Sequence, residues 1–93
     1  MSRRVPRHAL RVPSVYLLRC ADGTLYCGWT VDVERRVAAH NAGRASRYTR
    51  SRLPVELAWS QPQPDRATAM REEARIKRLP RAAKLAMVVA ADR

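Results

Sequence analysis

Two tyrosines stand ten residues apart in the stretch SVYLLRCADGTLYCGW, residues 14–29: Tyr16 before an Asp22-Gly23 turn and Tyr26 after it. A phenol can donate and accept a proton at one oxygen, but tyrosine is also a good strand residue, so the pair belongs either to a reaction or to a hairpin. Further along, Arg36 and His40 lie one helical turn apart and share a helix face with Val33 and Val37, at the spacing i, i+3, i+4, i+7. An arginine directed toward a sheet beside a titratable imidazole has the makings of an active-site wall. Each also has a plainer reading, with the Arg36 stem covering apolar surface and His40 satisfying a loop carbonyl. Glu73 is the most informative single position. It falls within an apolar helix stripe marked by Ala69, Met70 and Ile76, whereas Glu72 points about 100° away. A carboxylate aimed at a core is costly unless it is compensated, by a buried arginine or by a bound cation.

These side chains are positioned by a small set of elements. Residues 14–20 and 24–29 read as two strands joined at Ala21-Asp22-Gly23. A two-residue Asp-Gly turn would put the tyrosines on opposite faces; a three-residue loop with Gly23 in the left-handed position would put Tyr16, Leu18 and Tyr26 on one face. The three-residue loop is expected, since only it lets the two phenols share a site. From Asp32 the pattern turns helical, with Asp32 or Thr30 as cap and Gly43 as the stop. Residues 43–54 carry Arg44, Arg47, Arg50 and Arg52 around Tyr48 with no period, and read as a basic loop. A third strand is expected at 55–60, then a helix capped by Asp65 and running to about Leu79. Pro80 opens a last helix in which Leu85, Val88 and Val89 would pack inward. The order ββ-α-β-α-α implies an α+β fold, a small three-stranded antiparallel sheet flanked by helices.

The chain has 93 residues, enough for one small domain, here 14–93, preceded by a basic arm at 1–13. Nineteen Lys and Arg against eight Asp and Glu give a net charge of +11, and seventeen of the nineteen are arginine, whose planar fork suits phosphate. Such a charge attracts polyanions, chiefly nucleic acid. Cys20 and Cys27 have no zinc-ligand spacing to His8 or His40 and are expected to be buried small hydrophobes. No apolar run is long enough to span a bilayer, and the N-terminus lacks a secretory pattern, so the expected location is cytoplasmic.

Taken in order, Tyr16 in SVY, Tyr26 in YCG, Gly28, Arg36, His40 and Glu73 resemble the GIY-YIG endonuclease domain, from about Ser14 to the end of the chain. The resemblance is to its small, single-domain bacterial branch; the same module opens one of the excinuclease proteins of nucleotide excision repair. Ser14-Val15 stands where the motif has Gly-Ile, Cys27 where it has Ile, and Thr30 where many relatives carry a lysine. The resemblance implies a metal-dependent hydrolase of phosphodiester bonds in DNA, with RNA as the alternative, acting on flexible or single-stranded structures. It implies Tyr16, Tyr26, Arg36, His40 and Glu73 as catalytic residues. Glu73 would hold one Mg²⁺ (or Mn²⁺), Arg36 would fork onto the phosphoryl oxygens, and Tyr26, Tyr16 or His40 would serve as base. Thr30, Arg44, Arg47, Arg50 and Arg52 would meet the nucleic-acid backbone, and Tyr48 would stack on an unpaired base. The other readings are a non-catalytic binding module of the same fold, and a catalytic component that needs a targeting protein.

Overall fold

The computed structural model describes residues 11–91, so the expected basic arm lies outside the described residues except for positions 11–13. Three strands and four helices follow one another as β1 (Ser14–Arg19), β2 (Leu25–Thr30), α1 (Val33–Asn41), α2 (Arg47–Arg50), β3 (Glu56–Pro62), α3 (Arg66–Lys77) and α4 (Arg81–Ala91). The strands form one antiparallel sheet in the order β2-β1-β3, so the α+β expectation holds, with the third strand added beside β1.

One element is new. The stretch read as a basic loop contains the single helical turn α2, started by the Ser46 hydroxyl accepting the Tyr48 N–H at 3.1 Å. Four residues are too few to carry a readable helical period.

The hairpin takes the three-residue loop. Tyr16 pairs with Gly28 and Leu18 with Tyr26, the Cys20 N–H donates to the Thr24 carbonyl at 2.9 Å, and Gly23 has φ 86°. The Asp22 carboxylate fixes the loop by accepting from the Thr24 N–H at 3.1 Å and its hydroxyl at 2.7 Å. Tyr16, Leu18 and Tyr26 therefore share one face of the sheet.

Each face of the sheet is covered. On one, Val15, Leu17 and Cys27 pack against Ile76 of α3 and Val88 of α4, flanked by Trp29, Trp59 and Met87. On the other, Tyr16, Leu18, Cys20 and Val55 pack with Tyr26, Val37 and Leu53 under α1. The central strand is thus buried on both sides. A bulge at Ala58, where Leu17 pairs with Trp59 but Leu18 with Leu57, lets β3 follow the twist. Both cysteines are buried and unpaired, as expected, and burial pushes the Cys27 thiol up to about 11.

Two apolar assignments need correction. Met70 and Val89 are exposed, not inward. The inward stripe of α3 is Ala69, Glu73 and Ile76, at i, i+4 and i+7, which leaves Met70 one step around the helix. In α4 the sheet takes Val88 with Met87 beside it, and Val89 falls past the contact.

The end of α1 is tied to the start of β3 through one side chain. Asn41 donates to the Val55 carbonyl at 2.9 Å and accepts the Val55 N–H at 2.8 Å. Val55 is buried, so removing the amide strands a donor and an acceptor together. Asn41→Ala should therefore lower stability by about 2 kcal/mol in urea unfolding, whereas Asn41→Asp, which keeps only the acceptor, should fall between.

Candidate active site

The site lies where β2, an edge strand, lets both faces of the sheet meet. Tyr16 reaches across from the central strand and lies over Gly28; a Cβ on Gly28 would stand 2.5 Å from the Tyr16 hydroxyl oxygen. Only glycine leaves that space. The phenol ends on His40, delivered by the last turn of α1, with Oη 2.9 Å from Nε2. The other ring nitrogen, Nδ1, lies 2.8 Å from the Thr49 hydroxyl of α2. His40 is only 1% exposed.

Tyr26 stands next to this pair. Its ring meets His40 edge-on, 5.2 Å between centroids, and stacks on Tyr48 at 5.8 Å. The Arg52 guanidinium lies 3.8 Å over the Tyr48 ring and is bonded to Asp22 at 3.0 Å and to the Tyr48 carbonyl at 2.8 Å. Tyr48 and Arg52 are thus engaged in joining α2 to the hairpin.

Glu73 arrives from the opposite layer. Helix α3 packs on β2, and because no strand among the described residues continues the sheet there, its carboxylate gains the same cleft as the phenols. Tyr16, Tyr26, Arg36 and Glu73 all line this cleft of about 370 Å³, with Gly28 and Thr30 in its wall. The Thr30 hydroxyl accepts the Asp32 N–H at 3.2 Å and so helps start α1.

Arg66 also lines the cleft and was missing from the sequence-based set. It lies seven residues before Glu73, two helical turns along one stripe, and that spacing was the available signal.

A second depression of about 630 Å³ adjoins the cleft and shares Thr30, Val31 and Arg36 with it; Arg11, Arg35 and Arg44 line the rest, beside Asp32. Arg44 therefore borders the site. Arg47 and Arg50 are exposed on α2 and line neither space.

Burial, reinforced by the neighbouring Tyr26, drives the Tyr16 phenol well above the ordinary tyrosine range, against the pull of Arg36. Burial also lowers His40, and the Arg36 charge lowers it further. Near neutrality the pair is therefore a protonated phenol on a neutral imidazole.

The residues fit a hydrated hard cation. Among the described residues no three His, Cys, Asp or Glu side chains converge into a closed metal cage. A half-buried carboxylate in a polar cleft suits an ion that keeps most of its waters. Lys77 is the competitor, with Nζ 3.6 Å from Glu73 Oε2.

A hairpin presenting two phenols, a helix presenting an arginine over a histidine, and a carboxylate crossing from the other layer define a class of small α+β domain. The GIY-YIG catalytic domain matches residues 12–86, and the chain belongs to that family, a family of nucleases. Within it the chain is similar to the UPF0213 proteins. One from Xanthomonas axonopodis is 51% identical over 85 residues, covering 91% of this chain and 83% of the relative. One from the archaeon Halobacterium salinarum is 52% identical over 73 residues, covering 78% and 95%. The solution NMR structure of the UPF0213 protein from Bacillus halodurans, 40% identical, aligns with 84% of this chain and 83% of its own at a TM-score of 0.55.

The lowered His40 pKa has a consequence for stability. The unfolded imidazole titrates near ~6.5 and the folded one below it, so the unfolded state takes up the proton first on acidification. This stabilisation is complete above about pH 6.5 and is lost as pH falls through the folded value. Unfolding free energy should therefore drop as pH falls below about 6.5, and His40→Gln should show a shallower drop over the same range in urea titrations.

Proposed function

We propose that the protein is a metal-dependent endonuclease that hydrolyses phosphodiester bonds in DNA, with flexible or single-stranded structures as its substrates. The observation that carries this is the convergence of Tyr16, Tyr26, Arg36 and Glu73, from both layers of the molecule, on one cleft. A small hydrophobic substrate would have no use for such a lining, and a phosphate diester uses each part of it.

In this reading Glu73 holds a single Mg²⁺ or Mn²⁺, which when bound supplies Lewis acidity to the phosphate and its leaving oxygen. Arg36 and Arg66 fork onto the non-bridging oxygens and offset the charge that builds there. Tyr26, in its deprotonated form, takes the proton of the attacking water as the water oxygen bonds to phosphorus and the leaving P–O bond breaks. His40 is a poor direct base, because it is buried and its Nε2 is already in a hydrogen bond with Tyr16. Its part is to hold Tyr16, which orients the water.

The charge distribution supports a polyanion as substrate. Arg19, Arg52 and Arg75 each have an acidic partner within 3.5 Å. Among the described residues, Arg35, Arg36, Arg44, Arg47, Arg50 and Arg66 have none. Of these, Arg35, Arg36, Arg44 and Arg66 line the cleft or the depression beside it, where a phosphate backbone would run, and Arg47 and Arg50 are exposed on α2.

The Lys77–Glu73 pair favours one other reading, in which the carboxylate is neutralised within the protein and the domain only binds nucleic acid. Cleavage of single-stranded and supercoiled DNA, and of RNA, with and without EDTA separates the two. Metal-independent binding with no cleavage would favour the binding module, and cleavage that needs a partner would favour a component targeted by another protein. Glu73→Gln should abolish cleavage and leave binding near normal. Glu72→Gln should do little, since Glu72 is taken up by Arg75 at 2.9 Å and 3.0 Å. Equal losses in the two variants would remove Glu73 from the chemistry.

The binding path has its own test. Arg35→Ala combined with Arg44→Ala should weaken DNA binding evenly across sequences and reduce the salt slope by roughly one ion per lost phosphate contact, so about two. An unchanged slope in fluorescence anisotropy titrations would move the path away from this depression.

A further inference from the structure

Beneath the cleft runs a buried line of hydroxyl, imidazole, hydroxyl and carbonyl. Tyr16 Oη is 2.9 Å from His40 Nε2, His40 Nδ1 is 2.8 Å from Thr49 Oγ1, and Thr49 Oγ1 is 3.3 Å from the Ser46 carbonyl oxygen. Tyr16, His40 and Thr49 are each no more than 2% exposed. With a neutral imidazole, each carries one exchangeable proton.

Two proton arrangements fit these distances. In one, Thr49 donates to Nδ1, Nε2–H donates to Tyr16, and the Tyr16 proton is left without an acceptor in the line. In the other, Tyr16 donates to Nε2, Nδ1–H donates to Thr49, and Thr49 donates to the Ser46 carbonyl. Only the second gives all three protons a protein acceptor, and buried polar hydrogens are paired as a rule.

We propose that Thr49 is a positioning residue that holds His40 as the Nδ1–H tautomer, so that Nε2 accepts a hydrogen bond from the Tyr16 hydroxyl and the lone pairs of the Tyr16 oxygen face the cleft. The helical turn α2 acquires a purpose from this. Ser46 caps it and lends its carbonyl to Thr49, so a four-residue element sets the proton on a ring nine residues upstream. The consequence for catalysis rests on the endonuclease reading: Tyr16 meets the attacking water as an acceptor and does not donate onto the phosphate.

The tautomer can be read without any substrate. In ¹⁵N-labelled protein, long-range proton–nitrogen spectra distinguish a protonated, pyrrole-type ring nitrogen from a bare, pyridine-type one; His8→Gln removes the signals of the only other histidine. The expected wild-type pattern is pyrrole-type Nδ1 and pyridine-type Nε2. Thr49→Val, which keeps shape and removes the acceptor, should lose that pattern, and Thr49→Ser should retain it. In single-turnover cleavage Thr49→Val should slow the chemical step roughly ten-fold, as removal of an outer-shell partner does, with KM unchanged, and Thr49→Ser should restore it.

A wild-type ring protonated at Nε2 would overturn the proposal. So would a Thr49→Val protein that keeps the Nδ1–H pattern. The wild-type spectrum alone decides the tautomer, so a Thr49→Val chain that fails to fold does not shield the proposal. Absence of cleavage by the wild type would remove the endonuclease reading and leave the tautomer assignment standing.

Discussion

The contact on which the rest of the molecule depends is the Tyr16 ring lying across Gly28. A side chain at residue 28 would collide with the phenol, with its first carbon 2.6 Å from the Tyr16 ring carbon that bears the hydroxyl. With glycine there, the ring of the central strand can lean to the edge of the sheet and carry its hydroxyl out to His40. That single lean places α1, since His40 can meet the hydroxyl only if the last turn of α1 sits over Tyr16. It also opens the wall that Glu73 and Arg36 complete. The glycine weakens the strand somewhat, as glycine does, and the loss is accepted at the one place where backbone must be approached closely.

The edge position of β2 supplies the second half of the design. An unpaired strand edge is usually a hazard, because its free backbone groups invite another strand. Here that edge is the place where side chains from both layers can reach one volume of space. Were another strand to pair with β2, the carboxylate of α3 and the phenols of the hairpin would be divided by a continuous sheet. The site exists because the sheet stops.

Stability and chemistry are assigned to different polar groups. Asn41, Ser46, Asp22 and Asp65 close turns and helix ends, with partners that satisfy buried or terminal backbone. His40 and Tyr16 are buried at some electrostatic cost, seen in the opposite shifts of their proton affinities. The cost is contained because each group is in its neutral form and hydrogen-bonded to the other. Arginine is divided in the same way. Arg52 and Arg75 are bound to carboxylates that hold local structure, while Arg35, Arg36, Arg44 and Arg66 around the cleft have no acidic partner among the described residues and remain open to an anion.

Much of this was legible in the sequence, and the legible part is local. Side-chain alternation, caps, the Asp22-Gly23 turn and the i, i+3, i+4, i+7 spacing of Val33, Arg36, Val37 and His40 are effects of neighbours in the chain, so they specify the hairpin, α1, α3 and the direction of Glu73. The family resemblance rested on the same positions. What only the tertiary structure decided depends on distances between residues far apart in sequence. Arg66 needed α3 to be docked against β2 before it could be seen as cleft lining, and the exposure of Met70 and Val89 needed the width of the sheet they just miss. The stacking of Tyr48 on Tyr26 and the bond of Arg52 to Asp22 could be seen only once the hairpin came within reach of α2. Thr49 carried no signal at all, because a threonine on a four-residue turn becomes informative only when a buried imidazole is set against it, and burial belongs to the packed whole and not to the chain.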